Sequence, residues 1–120
     1  MELDHTIVYV KDKDVSARFY SNVLGFEYRG TGGTQSFVRV NDTLVIRLDE
    51  REPRKAHYAF HASDEEFDAV LARVAADGGT YGSSSGSDDM GWADRDGGRL
   101  AYFRDPDGIS IEIRTASQPV

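Results

Sequence analysis

The sequence contains no cysteine, which excludes disulfides, thiolate zinc sites, iron–sulfur clusters and cysteine nucleophiles, so any metal must be held by nitrogen or oxygen. No apolar run approaches the ~18 residues of a membrane-spanning helix, and no membrane partner is expected. Basic residues are in short supply: 14 Lys and Arg stand against 21 Asp and Glu, a net charge of -7 with a pI near 4.8. That sign is wrong for tracking a phosphate backbone and sets nucleic acid aside. The opening MELDHTIVYVKD carries Glu2 and Asp4 and alternates like a strand, unlike a signal or transit peptide. The expected location is therefore cytoplasmic.

What is present is ordinary globular material, 39% hydrophobic and 29% charged over 120 residues. That suffices for one domain with one core and is too little for two independent ones. Its organising feature is an internal repeat. Laying His57 on His5 without a gap sets HTIVYVKDKDVSARFYSNVL beside HYAFHASDEEFDAVLARVAA, strand over strand and helix over helix. Residues 3–10 and 57–62 alternate with the period of half-buried strands. Val15, Phe19 and Val23 form the apolar stripe of a first helix ending at Gly25, a residue suited to a left-handed cap. Ser63-Asp64-Glu65-Glu66 opens a second helix with a capping-box pattern; Phe67, Val70, Leu71 and Val74 form its stripe, and Gly78-Gly79 ends it.

After each helix the chain returns to strands, at residues 26–29, 35–40 and 43–48 in the first copy and near 80–81, at 100–104 and at 110–115 in the second. Asp105-Pro106-Asp107-Gly108 is a turn in which Pro presets the second position and Gly closes the fourth. The last strands align as TLVIRL over SIEIRT, which sets Val45 opposite Glu112. Residues 82–98 are a polar, glycine-rich excess of the second copy, of the kind used as a lid or left mobile. The expected fold is α+β: two βαβββ modules, residues 1–52 and 53–120 of a single domain, with sheets curling around a cleft.

His5 and His57 open equivalent strands, and Glu112 lies between Ile111 and Ile113, which face the helix layer. All three then point into the cleft. Two imidazoles and a carboxylate on one side of a divalent ion leave coordination positions open for metal-assisted chemistry. The competing reading is structural: a strand histidine satisfied locally, and Glu112 paired with Arg114 or Arg99. His61 lies about 13 Å along the strand from His57, too far to share one ion. It reads either as a cleft-lining general acid–base group or as a structural or exposed residue.

His5 at the start of the first strand, ARFYSNVLGF at residues 17–26, HYAF at 57–60 and YFRDPDGISIEI at 102–113 resemble the vicinal oxygen chelate superfamily. This group includes glyoxalase I, extradiol dioxygenases, fosfomycin-resistance enzymes and bleomycin-resistance proteins. The resemblance implies paired modules of the glyoxalase/bleomycin-resistance/dioxygenase fold around one divalent ion (Fe, Mn, Ni, Zn or Co), which a small-molecule substrate chelates through adjacent oxygens. His5, His57 and Glu112 match the ligand positions. It also implies a homodimer in which His5 of one subunit joins His57 and Glu112 of the other. The fourth ligand position falls on Val45, so lactoylglutathione lyase activity is not expected.

The function so implied is a metal-dependent small-molecule enzyme of dioxygenase, lyase or isomerase, or fosfomycin-type transferase chemistry. The alternative is a metal-independent protein that sequesters an antibiotic or metabolite, as bleomycin-resistance proteins do, using the negative charge and the aromatic candidates Tyr9, Tyr28, Trp92 and Tyr102. Tyr102, His61 or a carboxylate of residues 88–96 are candidates for proton transfer. Arg47 and Arg99 are candidates for holding an anionic substrate group, and Trp92 either anchors the long loop or stacks on an aromatic ligand.

Overall fold

A computed structural model describes residues 1–120. The elements run β1 (His5–Val10), α1 (Lys13–Asn22), β2 (Glu27–Gly32), β3 (Gln35–Arg39), β4 (Val45–Glu50), β5 (His57–His61), α2 (Asp64–Ala76), β6 (Ala93–Arg95), β7 (Gly98–Arg104) and β8 (Ser110–Arg114). They divide into two compact units, Met1–Arg54 and Lys55–Val120. Each unit is a βαβββ module with a four-stranded mixed sheet, in the order β1-β4-β3-β2 in the first and β5-β8-β7-β6 in the second. In both, the outer strand that opens the module runs parallel to the strand that closes it, and the other pairs are antiparallel. No helix is long and apolar enough to cross a membrane.

The helices start where side chains satisfy their free amide groups. Asp12 accepts from the backbone N–H of Asp14 and Val15 at the head of α1, and Ser63 and Glu66 form a reciprocal capping box at the head of α2. α1 is rotated by about one position from the expected stripe. Its buried residues are Ser16, Ala17 and Tyr20, while of the expected stripe Val23, at the helix end, is buried and Val15 is 40% exposed. Tyr20 decides this orientation, because burying its ring removes more apolar surface than burying Val15. The ring is 1% exposed and meets Phe19 edge-on and Phe26 in a stack. Val8, Val10, Val38, Ile46 and Leu48 complete the first core. In the second, Phe67, Val70, Ala101, Ile111 and Ile113 are buried.

Two expectations are corrected by the strand pairing. Residues 80–81 form no strand; Gly82 makes one isolated bridge to Tyr102, and the edge strand is β6, inside the segment read as loop. β6 and β7 form a two-residue hairpin, with Arg95 paired to Gly98. Its turn is Asp96-Gly97 with φ of 54° and 83°, the positive-φ geometry that Asp-Gly favours between twisted strands.

The second correction concerns Val45. The Val40 N–H donates to Leu44 O at 2.9 Å, and the Asp105 N–H donates to Ile109 O at 3.0 Å, so the two turns are equivalent and the strands after them begin at Val45 and Ser110. The ladders agree: His5 pairs with Val45, and His57 pairs with Ser110. The counterpart of Glu112 is therefore Arg47, and that of Tyr102 is Phe37. Setting TLVIRL over SIEIRT is wrong by two residues. A slip of two keeps every side chain on its own face, so hydrophobic alternation does not detect it.

Candidate metal centre

The candidate site is built on the face of the second sheet turned away from α2. Its position is set by the turn before β8, where the buried Asp105 accepts from the N–H of Asp107 and of Ile109, each at 2.9 Å. Gly108 closes that turn at φ 82°. From there, alternation sends Ile111 and Ile113 into the core and Ser110, Glu112 and Arg114 to the other side. β5 runs parallel alongside, with His57 paired to Ser110, Ala59 to Glu112 and His61 to Arg114. Ala59 contributes only a methyl group beside Glu112, which leaves room for the imidazole to lean across.

His57 Nδ1 lies 2.9 Å from Ser110 Oγ, and Nε2 lies 3.2 Å from Glu112 Oε1. Glu112 is 6% exposed. Its second oxygen accepts from Arg114 Nη1 at 3.0 Å, while Arg114 Nη2 donates to Asp96 Oδ2 at 2.6 Å and Nε to Ala116 O at 2.7 Å. The guanidinium is thus held on three sides, and the carboxylate offers one oxygen to the imidazole. With Nδ1–H donating to Ser110, Nε2 and Oε1 face each other lone pair to lone pair, and the gap between them calls for a proton or a cation. Two donors each about 2.0 to 2.2 Å from one ion and at right angles stand about 3 Å apart. By donor chemistry and spacing, His57 and Glu112 fit a divalent ion.

Tyr102 is paired with Glu112 on β7, and its ring centroid is 6.3 Å from that of His57. Burial first, and the Glu112 carboxylate second, push its phenol pKa above the ordinary 10.0. At neutral pH it is a proton and hydrogen-bond donor, not a base. His61 lies on the same face, but its Nε2 is 3.1 Å from Thr115 O and its Nδ1 3.4 Å from Ser117 Oγ, which ties it to the C-terminal segment.

His5 lies in the first unit, half-exposed, with Nδ1 2.7 Å from Asp4 Oδ2 and Nε2 without a hydrogen bond. A carboxylate on one ring nitrogen orients the other toward a ligand. No group of three His, Asp or Glu side chains able to hold a metal is assembled within the chain. Arg47 is half-buried on the same sheet face as His5, its guanidinium 5.5 Å over the Phe37 ring.

Arg99 and Trp92 pack together away from the candidate site, with Trp92 in the loop-anchoring position, one of its two expected readings. Arg99 lies on the opposite face of β7 from Tyr102 and donates to Asp64 and Asp68 of α2 at 2.9 and 2.8 Å. Its guanidinium lies 4.4 Å from the Phe67 ring centroid and 5.1 Å from that of Trp92. The pair clamps the segment before β6 onto the first turns of α2 and faces away from Glu112.

Residues 82–91 are not left loose. Asp89 accepts from Ser83 N–H, Ser83 Oγ and Gly91 N–H, and these hydrogen bonds, the Ser83 hydroxyl first, lower its pKa to about 2. Gly82 is packed so closely that an added Cβ would collide with the Ser87 backbone. This loop and the end of β7 enclose a small cavity of about 90 Å³ that Tyr102, Arg104 and Ser110 help to line. Sequence reasoning missed Ser110 as part of the site, named Arg114 only as a structural partner of Glu112, and did not single out Asp96. Period-2 parity from Glu112 finds the first two, and the Asp-Gly hairpin signal points to the third.

Residues 2–113 match the family model described as Glyoxalase/Bleomycin resistance protein/Dioxygenase superfamily. Among solved structures, Oxidase ChaP-H2 superposes with a TM-score of 0.90 at 33% identity, covering 98% of this chain and 94% of that chain. Oxidase ChaP-H1 gives 0.88 at 35% identity, covering 98% and 97%. Glutathione transferase FosA from Serratia marcescens is 27% identical over 123 residues, spanning 96% of this chain and 81% of the relative.

Proposed function

Because this chain belongs to the Glyoxalase/Bleomycin resistance protein/Dioxygenase superfamily, we propose that it is a metal-dependent enzyme acting on a small molecule, and that its reaction is an oxidation. The observation that carries the metal reading is the approach of His57 Nε2 to Glu112 Oε1 at 3.2 Å, with each side chain fixed from behind by Ser110 and Arg114. The oxidation reading rests on the likeness to two oxidases at 33% and 35% identity over nearly the whole chain, against 27% for Glutathione transferase FosA.

In this proposal His57 and Glu112 supply two ligands and His5 of a second copy of the chain supplies the third, which makes the working form a homodimer. Bound there, a divalent ion supplies Lewis-acid polarisation and a template for adjacent substrate oxygens, and two imidazoles with one carboxylate suit Fe(II) for dioxygen chemistry. The chain's own part is orientation and proton supply. Ser110 fixes the imidazole plane, Arg114 leaves Glu112 a single free oxygen, and Tyr102 holds a proton at its hydroxyl beside that carboxylate. His61, whose Nε2–H is committed to Thr115 O, has no part in the reaction.

The test is elemental analysis of protein purified without chelator or affinity-tag metal, alongside folded His57→Ala and Glu112→Ala variants, followed by dioxygen-uptake screening with the metal so identified. About one divalent ion per chain, lost in both variants, supports the proposal. A wild-type protein that stays empty and refuses added Mn(II), Fe(II), Ni(II) and Zn(II) overturns it in favour of the sequestering alternative.

A further inference from the structure

The two modules place side chains on matching grids, and the charges are exchanged at two squares: Arg47 and Asp49 of the first unit stand where Glu112 and Arg114 stand in the second. In the second unit Glu112 stands one rung beyond Ser110, on the diagonal from His57, and this diagonal brings the two side-chain tips within 3.2 Å. In the first unit Arg47 stands one rung beyond Val45, on the same diagonal from His5. The next strand carries an aromatic ring at the matching place, Tyr102 beside Glu112 and Phe37 beside Arg47. Where one module has a ligand carboxylate, the other has a guanidinium.

The surroundings of Arg47 suit a receptor. Arg47 forms no ion pair, and unlike Arg18, Arg54 and Arg95, which also form none, it is not exposed, and unlike Arg39 its guanidinium donates to no backbone oxygen. It is half-buried and backed by the Phe37 ring at 5.5 Å, and its neighbour on the grid, His5, keeps Nε2 open. A partly desolvated guanidinium with an aromatic floor and unused donors is the group that binds an anionic oxygen most strongly, often in bidentate fashion.

We infer that Arg47 is a substrate-binding residue standing in place of a fourth protein ligand, and that the substrate class is an anion, a carboxylate or ionised enol or phenol whose charged oxygen Arg47 holds while the adjacent oxygen reaches the metal. The inference rests on the metal reading above. It explains why a chain of net charge -7 leaves an arginine unpaired next to a ligand histidine.

The probe is oxalate, a dianion with adjacent oxygens, titrated calorimetrically into Mn(II)-loaded wild type and into Arg47→Met, Arg47→Lys and Arg47→Glu proteins shown to be folded by thermal melting. Arg47→Met is expected to weaken oxalate about 10- to 100-fold with Mn(II) binding undiminished, the loss expected for a charge-assisted pair, and Arg47→Lys to recover part of it. Arg47→Glu is expected to abolish oxalate binding and to tighten Mn(II), because it sets a carboxylate beside His5. Oxalate affinity indifferent to Arg47→Met, or Mn(II) affinity unimproved in Arg47→Glu, overturns the inference while leaving the metal reading intact. Failure of the wild type to take up Mn(II) overturns both.

Discussion

Tyr102 and Glu112 are directly opposed in the antiparallel β7–β8 ladder, which sets the phenol beside the carboxylate. Burial and the neighbouring negative charge both penalise the phenolate, so the folded-state pKa lies above 10.0. A proton held more tightly in the folded state gives stability that is fully present below the unfolded pKa and lost as pH rises through the folded value. In a spectrophotometric titration of the six tyrosines, Tyr102 is expected to ionise late, and Tyr102→Phe lowers the late amplitude by one tyrosine. A Tyr102→Phe protein whose late amplitude is unchanged contradicts the assignment.

Asp96 should matter to metal binding although it is no ligand. Arg114 is 9% exposed at its side chain and lies between Glu112 and Asp96; with Asp96 neutralised, its charge is balanced by Glu112 alone, 3.0 Å away, and that carboxylate has less negative charge to offer an ion. Asp96→Asn is expected to weaken Mn(II) about 10- to 100-fold, the usual cost of losing an outer partner. Adding Arg114→Met should restore most of the affinity, because the offending charge is then gone. A loss that persists unchanged in the double variant would falsify the electrostatic account.

Much of this was legible in the chain. Strand alternation, the Ser63–Glu66 capping box and the repeat suffice to place His57 and Glu112 on one face, because parity and helix caps are local properties. The equivalence of Arg47 with Glu112 was not legible, since a two-residue slip leaves alternation intact and only the ladder of hydrogen bonds resolves it. β6 was hidden by its polar, three-residue sequence, which carries no hydrophobic signal, even though Asp96-Gly97 marks the hairpin beside it. The opposite facing of Arg99 and Tyr102 follows from their odd separation along β7, whereas the partners of Arg99 on α2 lie more than thirty residues away.

The Arg99 clamp predicts a separation of stability from function. Arg99→Met keeps aliphatic volume but removes two ion pairs to exposed carboxylates and the contacts with Phe67 and Trp92. Exposed pairs add little and the aromatic contacts more, so a loss of about 1 to 2 kcal/mol is expected in chemical denaturation. Trp92 emission should shift to the red as its ring loses its cover. Oxalate and Mn(II) affinities should stay at the wild-type level; a large drop in oxalate affinity with Mn(II) unchanged would return Arg99 to the substrate site.

Loop order should depend on Asp89 at low pH. Its carboxylate accepts three hydrogen bonds from Ser83 and Gly91, and the folded-state pKa is lowered from 3.8 to about 2. Because the folded form binds the proton less readily than the unfolded chain, the contribution of Asp89 is fully present above pH 3.8 and is lost as pH falls through about 2. Asp89→Asn keeps the size of the side chain but replaces one acceptor oxygen with a donor facing Ser83 or Gly91. At neutral pH the variant should therefore melt lower than the wild type and exchange the Ser83 and Gly91 amide protons faster. Between pH 3.8 and about 2 the two proteins should converge, as the wild type loses the charge that the variant already lacks. A difference that stays constant across that range would mean that the loop is held by its packing, as at Gly82 against Ser87, and not by the ionised carboxylate.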